Sequence, residues 1–366
     1  MIHKTINKFK LFMKKRGELK YIFYDKKEYL RPGKYKFIFE FNVFYNIKSD
    51  TSQFPEDIFN PGRKKQWHFK KLIQNLGIFF LPLTINTKIT HEDSTNQNGA
   101  ELVFLTRGEN GAKLFNFNEG IVVSVFSDEK DFKKVLDNFQ IINKYFQTAV
   151  LKIDRDKREI YEVIFEYDSP EEIATKNHQR VILKYLDDLK FMYENQQSQS
   201  FINIKDELDK FYNNDYFKEL NFVVGDLLKS NSVFNLSIPL FYFKKDLGLG
   251  NVLLNNKNYT IIDYDSFDFV SIIQVFSSFI NSIERKTNFN AFNLYFSGEF
   301  DCYLESFLLL SSENLTVYNR KTLLIFTWIF RLNQKYEQNG FIEATKFYNI
   351  LNNFKWIKKE FDKLNV

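Results

Sequence analysis

The sequence predicts an α+β fold in which a small antiparallel sheet precedes a larger set of helices. Short apolar segments separated by glycine turns fill residues 99–168. Helical patterns dominate residues 169–366. Strands and helices that are segregated along a chain, rather than alternating, are typical of this class. Residues 1–98 mix helix and strand patterns, so we predict an α/β N-terminal extension of unknown role.

Composition restricts the function classes. The chain has 366 residues, of which 44% are hydrophobic, enough for a sizeable core and two or three lobes. Its net charge of +5 comes from nearly balanced acids and bases, which does not indicate a nucleic-acid partner. The single cysteine, Cys302, excludes an internal disulfide and a cysteine-rich metal site. With no apolar run of about 20 residues and no signal-peptide core, we expect a cytoplasmic protein.

The first 20 residues place apolar side chains at helical spacing among many lysines and an arginine. We favour a helix that packs this apolar stripe on the protein body. A peripheral contact of residues 1–20 with the inner face of the membrane is the alternative. Residues 21–45 alternate aromatic and polar side chains, which predicts two strands around Arg31-Pro32-Gly33. The basic runs at 63–65 and 70–71 are interpreted as a solvated face.

A series of hairpins begins at Glu101. We predict strands over 101–107, 112–117 and 121–126, with tight turns at Gly108–Gly111 and Asn118–Gly120. An amphipathic helix over 128–145 follows, and then a hairpin of strands 149–153 and 159–166.

The remainder of the chain is expected to be helical apart from one motif. Ser169-Pro170-Glu171-Glu172 has the composition of a helix start with an acidic first turn. Beyond Asp265 we predict helices to the end of the chain.

The motif itself is Lys244-Lys245-Asp246-Leu247-Gly248-Leu249-Gly250-Asn251, followed by an apolar strand pair that ends at Ile261-Ile262-Asp263-Tyr264-Asp265. Phosphoryl transfer needs a carboxylate that accepts the proton of an attacking hydroxyl, which suits Asp246. It also needs oxygen ligands for magnesium, which suit Asn251 and Asp263. An ordinary surface aspartate in a turn is the alternative for Asp246.

The motif and the order of the preceding strands resemble the kinase-like fold of the aminoglycoside phosphotransferase and choline kinase superfamily. They are also similar to kinases found among bacterial surface-polysaccharide genes. The resemblance implies a two-lobed protein-kinase-like fold, with a small antiparallel-sheet N-lobe over 99–168 and a larger helical C-lobe over 169–366. It further implies ATP and Mg²⁺ as cofactors, with Asp265 as a further metal ligand. For Asp265, a cap on the following helix is the alternative.

The resemblance also assigns nucleotide contacts. Gly108, Asn110 and Gly111 would form the turn that covers the phosphates, because glycines let backbone N–H groups approach them. An ordinary hairpin turn is the alternative there. The main chain of Glu166 and Tyr167, in the hinge 166–168, would hold the adenine edge.

Three positions depart from the superfamily pattern. Lys244 stands where a histidine is usual, and we include it among the catalytic candidates. Ser124 stands near the place of the phosphate-binding lysine, for which Lys113 on the preceding strand is the predicted substitute, because adjacent strands lie about 5 Å apart. Asp131 or Asp137 stands where a glutamate is usual.

The predicted function is an ATP- and magnesium-dependent phosphotransferase that acts on a hydroxyl of a small molecule or glycan, with surface-polysaccharide assembly as the context that the resemblance suggests. A catalytically silent nucleotide-binding scaffold is the first alternative, because the usual lysine is absent. A protein kinase is the second, although no Ala-Pro-Glu segment follows Asp263. The sequence leaves oligomeric state open.

Overall fold

The computed structural model describes residues 16–38, 43–49, 84–87, 99–106, 110–196, 200–225, 235–309, 315–342 and 344–362. The chain divides into two compact units. The first comprises residues 1–137 and 149–165, and the second comprises residues 138–148 and 166–366.

The first unit is built on an eight-stranded sheet in the order β3-β1-β2-β4-β5-β6-β8-β7, in which each neighbouring pair is antiparallel. Its strands are β1 (Gly33–Ile38), β2 (Val43–Asn46), β3 (Thr84–Thr87), β4 (Leu102–Leu105), β5 (Gly111–Asn116), β6 (Ile121–Phe126), β7 (Val150–Asp154) and β8 (Glu159–Val163). Helix α1 (Arg16–Lys20) precedes the sheet, and α2 (Glu129–Tyr145) begins in this unit.

The alternation of side chains along the strands explains the core of this unit. Ala112 and Leu114 on β5, with Val123 and Val125 on β6, point to one face of the sheet. They pack there against buried side chains between residues 22 and 44, including Ile22 and Phe23. The hairpin series and helix predicted over 101–166 are confirmed to within a few residues.

The predicted pair of strands around Arg31-Pro32-Gly33 is wrong. Residues 21–25 form a π-helical turn and residues 27–29 a 3₁₀ turn. The antiparallel pair is β1 and β2, both after Pro32. Aromatic alternation predicts a strand here, but Ile22 and Phe23 are adjacent and both buried, which a helical turn allows and a half-exposed strand does not.

The strands of the predicted extension continue the sheet of the predicted N-lobe. β2 pairs with β4, so hydrogen bonds cross from residues 43–45 to residues 102–104. A domain boundary between residues 98 and 99 stays a prediction. The apolar stripe of residues 1–13 and the basic runs at 63–65 and 70–71 lie outside the described residues.

The second unit is predominantly helical. Its helices are the end of α2, α3 (Lys176–Asn195), α4 (Ile204–Tyr212), α5 (Lys218–Gly225), α6 (Ile272–Lys286), α7 (Ala291–Ser297), α8 (Asp301–Leu308), α9 (Val317–Asn339) and α10 (Ala344–Asp362). Two small sheets accompany them, β13-β10-β9 and β11-β12. Their strands are β9 (Ser200–Asn203), β10 (Ser237–Lys244), β11 (Val252–Leu254), β12 (Tyr259–Ile261) and β13 (Phe267–Ser271). The predicted α+β class, an antiparallel sheet followed by a helical region, is confirmed.

Two element boundaries in this unit differ from the prediction. Residues 169–172 make an isolated turn, and α3 begins at Lys176, because Thr175 and His178 form a capping box there. The chain beyond Asp265 is not wholly helical, because β13 pairs with β10 along Phe267–Ser271. The Phe-Asp-Phe-Val alternation at 267–270 was the strand signal. Of the described helices, none combines the length and the apolar character that crossing a bilayer requires.

Candidate active site

The loop that carries Asp246 begins where β10 ends. Leu247 is fully buried and anchors the loop in the core. The Gly248 carbonyl accepts hydrogen bonds from the backbone N–H groups of Asn251 (2.9 Å) and Val252 (3.0 Å), which closes a turn. A Cβ at Gly248 would lie 2.9 Å from the Ser282 Oγ, the same atom that accepts from the Leu249 N–H at 2.9 Å. Gly248 therefore lets the loop approach α6 closely.

Asn251 ties the loop together. Its side-chain Nδ2 donates to the carbonyl of Asp246 at 2.7 Å. Its backbone carbonyl accepts from the N–H of Ile262 at 2.9 Å, one residue before Asp263. The structure thus joins Asp246, Asn251 and the Asp263 segment through two hydrogen bonds, both centred on Asn251.

Asp263 follows the short hairpin of β11 and β12 and has a left-handed backbone, with φ = 63°. Non-glycine residues rarely adopt this conformation, although aspartate tolerates it better than most. Such strain persists where the surroundings enforce it, and it clusters at functional sites. Here the next residue, Tyr264, is buried, and its carbonyl accepts from the Asn138 Nδ2 at 2.8 Å.

Lys244 is fully buried, an unusual position for a lysine. Its Nζ donates to the carbonyl of Asp263 and, at 3.3 Å, to the Ser266 Oγ. The ammonium that the sequence offered as a catalytic candidate therefore holds the end of β10 against the Asp263 segment.

Arg331 on α9 is a neighbour of the loop that sequence reasoning missed. Its Nη2 donates to the carbonyl of Lys245 at 3.0 Å, and its guanidinium lies over the Trp328 ring, 5.8 Å from the centroid. Burial lowers the pKa of the Arg331 guanidinium, and the charge of Asp246 opposes that shift. No pattern links residue 331 to residue 246 in sequence, so only the fold reveals this contact.

Asp265 lies beside these residues in sequence, and its backbone carbonyl accepts from the Phe267 N–H at 3.2 Å. The alternative that it caps the following helix is wrong. The next element is β13, and α6 is capped by Ser271, whose Oγ accepts from the Gln274 N–H at 3.1 Å. A role of Asp265 as a metal ligand stays a prediction.

The chemistry of the donors at this loop suits magnesium. Because the side-chain Nδ2 of Asn251 donates to the Asp246 carbonyl, the side-chain Oδ1 is the atom left to coordinate a cation. Magnesium prefers such hard oxygen donors and is commonly held by one or two carboxylates together with substrate phosphates. In the described part of the chain, no group of three or more His, Cys, Asp or Glu side chains is placed to hold a metal ion. A magnesium site here would therefore combine Asp263 with the Asn251 amide oxygen and phosphate oxygens.

In the first unit, the predicted phosphate-covering turn is partly described. Gly108 lies outside the described residues, whereas Asn110 and Gly111 lie at the start of β5. The Asn110 N–H donates to the Asp131 carboxylate at 2.8 Å. A Cβ at Gly111 would lie 2.3 Å from the Val125 carbonyl oxygen, so glycine is required for the approach of β5 to β6.

Lys113, the predicted substitute for the phosphate-binding lysine, forms an ion pair with Glu162 on β8, with Nζ and Oε2 3.8 Å apart. The resemblance places the lysine's carboxylate partner on α2, at Asp131 or Asp137. Asp131 instead bonds the turn at Asn110, and Asp137 is exposed. Glu162 was overlooked because a glutamate within a predicted strand looks like an ordinary outward-facing residue.

The predicted hinge is held within the second unit. The Glu166 carbonyl accepts from the Asn255 Nδ2 at 2.8 Å, and the Asp168 N–H donates to the Leu254 carbonyl at 2.9 Å. The His178 Nε2 forms a hydrogen bond of 2.7 Å with the Asp168 carboxylate. Among the residues that the structure describes, Tyr167 is the hinge residue whose main chain makes no hydrogen bond, and its side chain is exposed.

Comparisons with known proteins give fold-level similarities only. No protein-family model and no curated protein matches the sequence. Among solved structures, the chain is similar to a choline/ethanolamine kinase family protein from Mesorhizobium loti, with 12% identity, 71% of this chain and 90% of that chain covered, and a TM-score of 0.37. It is also similar to the choline kinase LicA of Streptococcus pneumoniae, with 12% identity, coverage of 69% and 90%, and a TM-score of 0.38.

A third similarity is to the macrolide 2'-phosphotransferase MphH of Brachybacterium faecium, with 9% identity, coverage of 66% and 87%, and a TM-score of 0.40. At these values the likeness assigns no activity to this chain.

Proposed function

We propose that this protein is a phosphotransferase that uses magnesium ATP to phosphorylate a hydroxyl of a small molecule or glycan. The observation that carries the proposal is the connection of Asp246, Asn251 and the Asp263 segment through the bonds centred on Asn251. An acid, an amide and a second acid in this arrangement match the base and the oxygen ligands that phosphoryl transfer requires.

Asp246 is the proposed general base. Its side chain is exposed, and no described residue donates a hydrogen bond to its carboxylate, so the carboxylate is accessible to an acceptor hydroxyl. Its main chain is fixed on both sides, by Asn251 at its own carbonyl and by Arg331 at the carbonyl of Lys245. Held in this way, the Asp246 carboxylate would orient an acceptor hydroxyl and accept its proton.

Asn251 and Asp263 are the proposed magnesium ligands, and Lys244 is a positioning residue for Asp263. When bound, magnesium ATP supplies the phosphoryl group and neutralises part of the developing charge. Because the Lys244 ammonium bonds the Asp263 carbonyl from inside the core, it fixes the backbone of Asp263 and leaves the carboxylate for the cation. In the superfamily that the sequence resembles, a histidine occupies this position.

A small acceptor is favoured over a protein. Residues 264–266 alone separate Asp263 from β13, and β13 is paired along its length with β10. A protein kinase needs a long activation segment after the metal-binding aspartate to hold its peptide substrate. The short connection supports an acceptor that does not need such a segment.

A turnover assay tests the proposal. The protein is incubated with magnesium ATP and, separately, with choline, ethanolamine, an aminoglycoside, a macrolide and a panel of neutral and acidic sugars, and ADP release is measured. We expect acceptor-dependent ADP release with at least one compound and its loss when magnesium is chelated. Magnesium ATP binding without any turnover would support the silent scaffold instead, and no nucleotide binding would refute both functions.

A further inference from the structure

Three polar side chains lie close together on neighbouring strands of the first unit's sheet. The proposed function assigns no role to this cluster. Lys113 on β5 is paired with Ser124 on β6, and Glu162 on β8 lies diagonally across from Ser124. The residues that flank Lys113 and Ser124 in sequence lie in the apolar core of this unit, and Tyr161, which precedes Glu162, packs against that core. Because side chains alternate along a strand, the three point to the opposite face of the sheet.

Ser124 leaves room for the lysine to cross its strand. Two strand spacings, roughly 10 Å, separate β5 from β8, and Lys113 covers that distance only by passing over β6. The Ser124 hydroxyl lies 3.4 Å from the Glu162 Oε2 and occupies little volume. A larger residue at 124 would block the path between the ammonium and the carboxylate.

Glu162 is buried, with 4% of its surface exposed, whereas the Lys113 side chain keeps 20%. The Lys113 Nζ and the Glu162 Oε2 are 3.8 Å apart, which is close enough for an ion pair but too long for a hydrogen bond. The other carboxylate oxygen, Oε1, is buried without a hydrogen-bond partner among the described residues. The carboxylate is therefore buried more deeply than the ammonium with which it pairs.

A purely structural role does not account for an acid at this position. Burying a carboxylate is costly unless it is paired and its lone pairs are satisfied, and an apolar residue would be at least as stable. An under-satisfied buried ion pair is more typical of a functional site. What the acid adds is a fixed negative charge that holds a lysine at the surface of the sheet.

We propose that Glu162 is a positioning residue that holds the Lys113 ammonium, across Ser124, in place for the phosphates of ATP. This inference rests on the proposed function. The Lys113 side chain is 20% exposed while paired with Glu162, and an ammonium attracts a phosphate oxygen as a point charge.

Calorimetric titration with magnesium and a non-hydrolysable ATP analogue tests the role on four variants. Lys113→Met and Glu162→Gln should each weaken binding about tenfold or more, the size expected for one charged contact. The double variant Lys113→Met/Ser124→Lys moves the lysine one strand closer to the same carboxylate and should restore much of the affinity. Adding Glu162→Gln to that double variant should remove the rescue.

A second readout separates the inference from the proposed function. Labelling of Lys113 by an amine-selective acylating reagent, followed by mass spectrometry, needs no nucleotide. A neighbouring carboxylate favours the unreactive charged amine, so Glu162→Gln should accelerate labelling of Lys113 and of no other lysine. Added ATP should protect Lys113 in the unmodified protein.

Each outcome is decisive. Unchanged ATP affinity in Glu162→Gln, or unchanged Lys113 labelling, would overturn the positioning role, and a lowered melting temperature alone would make Glu162 structural. If the unmodified protein binds no ATP, the proposed function fails. Faster labelling in Glu162→Gln would then still show that Glu162 holds Lys113, while the phosphate role would be refuted.

Discussion

Two polar clusters of this protein use their side chains in opposite ways. Around Glu159 on β8, the carboxylate is fully buried and both oxygens are satisfied, by the Lys26 Nζ at 2.5 Å and by the hydroxyls of Tyr29 at 2.9 Å and Tyr161 at 2.7 Å. Around Asp246, the acid is exposed, and the hydrogen bonds nearby fix the main chain.

The difference distinguishes a structural cluster from the proposed reactive site. In the Glu159 cluster the polar groups bond one another, so Lys26 and Tyr29 are attached to β8. In the Asp246 loop, buried Lys244 and half-buried Arg331 bond backbone carbonyls, so the carboxylates of Asp246 and Asp263 are left for other partners. A reactive site requires a side chain that is held in position while its reactive atoms stay available to the substrate.

The largest expected effect is on the exposed acid. Asp246→Asn keeps the shape of the side chain and removes the proposed proton acceptor, so the rate should fall about 10²- to 10⁴-fold. Turnover with the best acceptor of the panel measures the rate, and thermal unfolding is the control. A melting temperature that falls along with the rate would mean that Asp246 belongs with the structural cluster.

Glu159→Gln should show the reverse pattern. The substitution leaves the Lys26 charge buried without its ionised partner, which costs about 3–5 kcal/mol of unfolding free energy. Chemical denaturation measures the loss, and Glu162→Gln, three residues along the same strand, is the matched control. Equal destabilisation by both substitutions would remove the distinction between a satisfied and an under-satisfied glutamate.

Lys244→Met should have an intermediate effect on both quantities. The Asp263 carbonyl loses its buried donor, which costs about 1–3 kcal/mol of stability, and the rate should fall because Asp263 is no longer held. Lys244→His restores a donor and should recover part of the activity. If Lys244→Met loses stability but keeps its full rate, Lys244 is structural only.

High pH should loosen the Glu159 cluster. Burial lowers the pKa of Lys26, but its hydrogen bond and ion pair with Glu159 outweigh this effect and raise the pKa overall. Burial, together with the hydrogen bond to Glu159, also raises the pKa of Tyr161. Groups with raised pKa values stabilise the fold below their unfolded values, near 10 for tyrosine and 10.4 for lysine, and this contribution is lost as pH rises through the folded values.

Stability should therefore decline above about pH 10, and Glu159→Gln should flatten that decline. Unfolding free energies measured between pH 8 and pH 11 check the sign. A decline that is unchanged in Glu159→Gln would place its origin elsewhere in the chain.

The smallest effect is expected at Arg331. Arg331→Gln removes one hydrogen bond to the Lys245 carbonyl, worth about 0.5–1.5 kcal/mol, so the rate should fall by severalfold. Arg331→Lys keeps the charge near Asp246 and isolates the part due to the hydrogen bond. A loss as large as that of Asp246→Asn would instead indicate direct contact of Arg331 with the acceptor.

Sequence reasoning recovered the features with local signals. Strong β-turns and apolar alternation gave β4 to β8, and the spacing of Asp246, Asn251 and Asp263 identified the loop. It failed where the signal was ambiguous or distant. Residues 21–29 and 267–271 were assigned the wrong structure, because short aromatic runs fit both periods. The contacts of Glu162 and Arg331 join positions separated by 49 and by 85 or more residues.

The sequence by itself determined the α+β class, the order of the hairpins and the residue types of the loop, because turn chemistry and side-chain periodicity act over a few residues. Only the tertiary structure decided that Lys244 bonds the Asp263 carbonyl, that Ser271 rather than Asp265 caps α6, and that Glu162 pairs with Lys113. These facts depend on which strands pair and which helix packs on which loop. Free energy summed over the whole chain selects those pairings, and no local pattern encodes them.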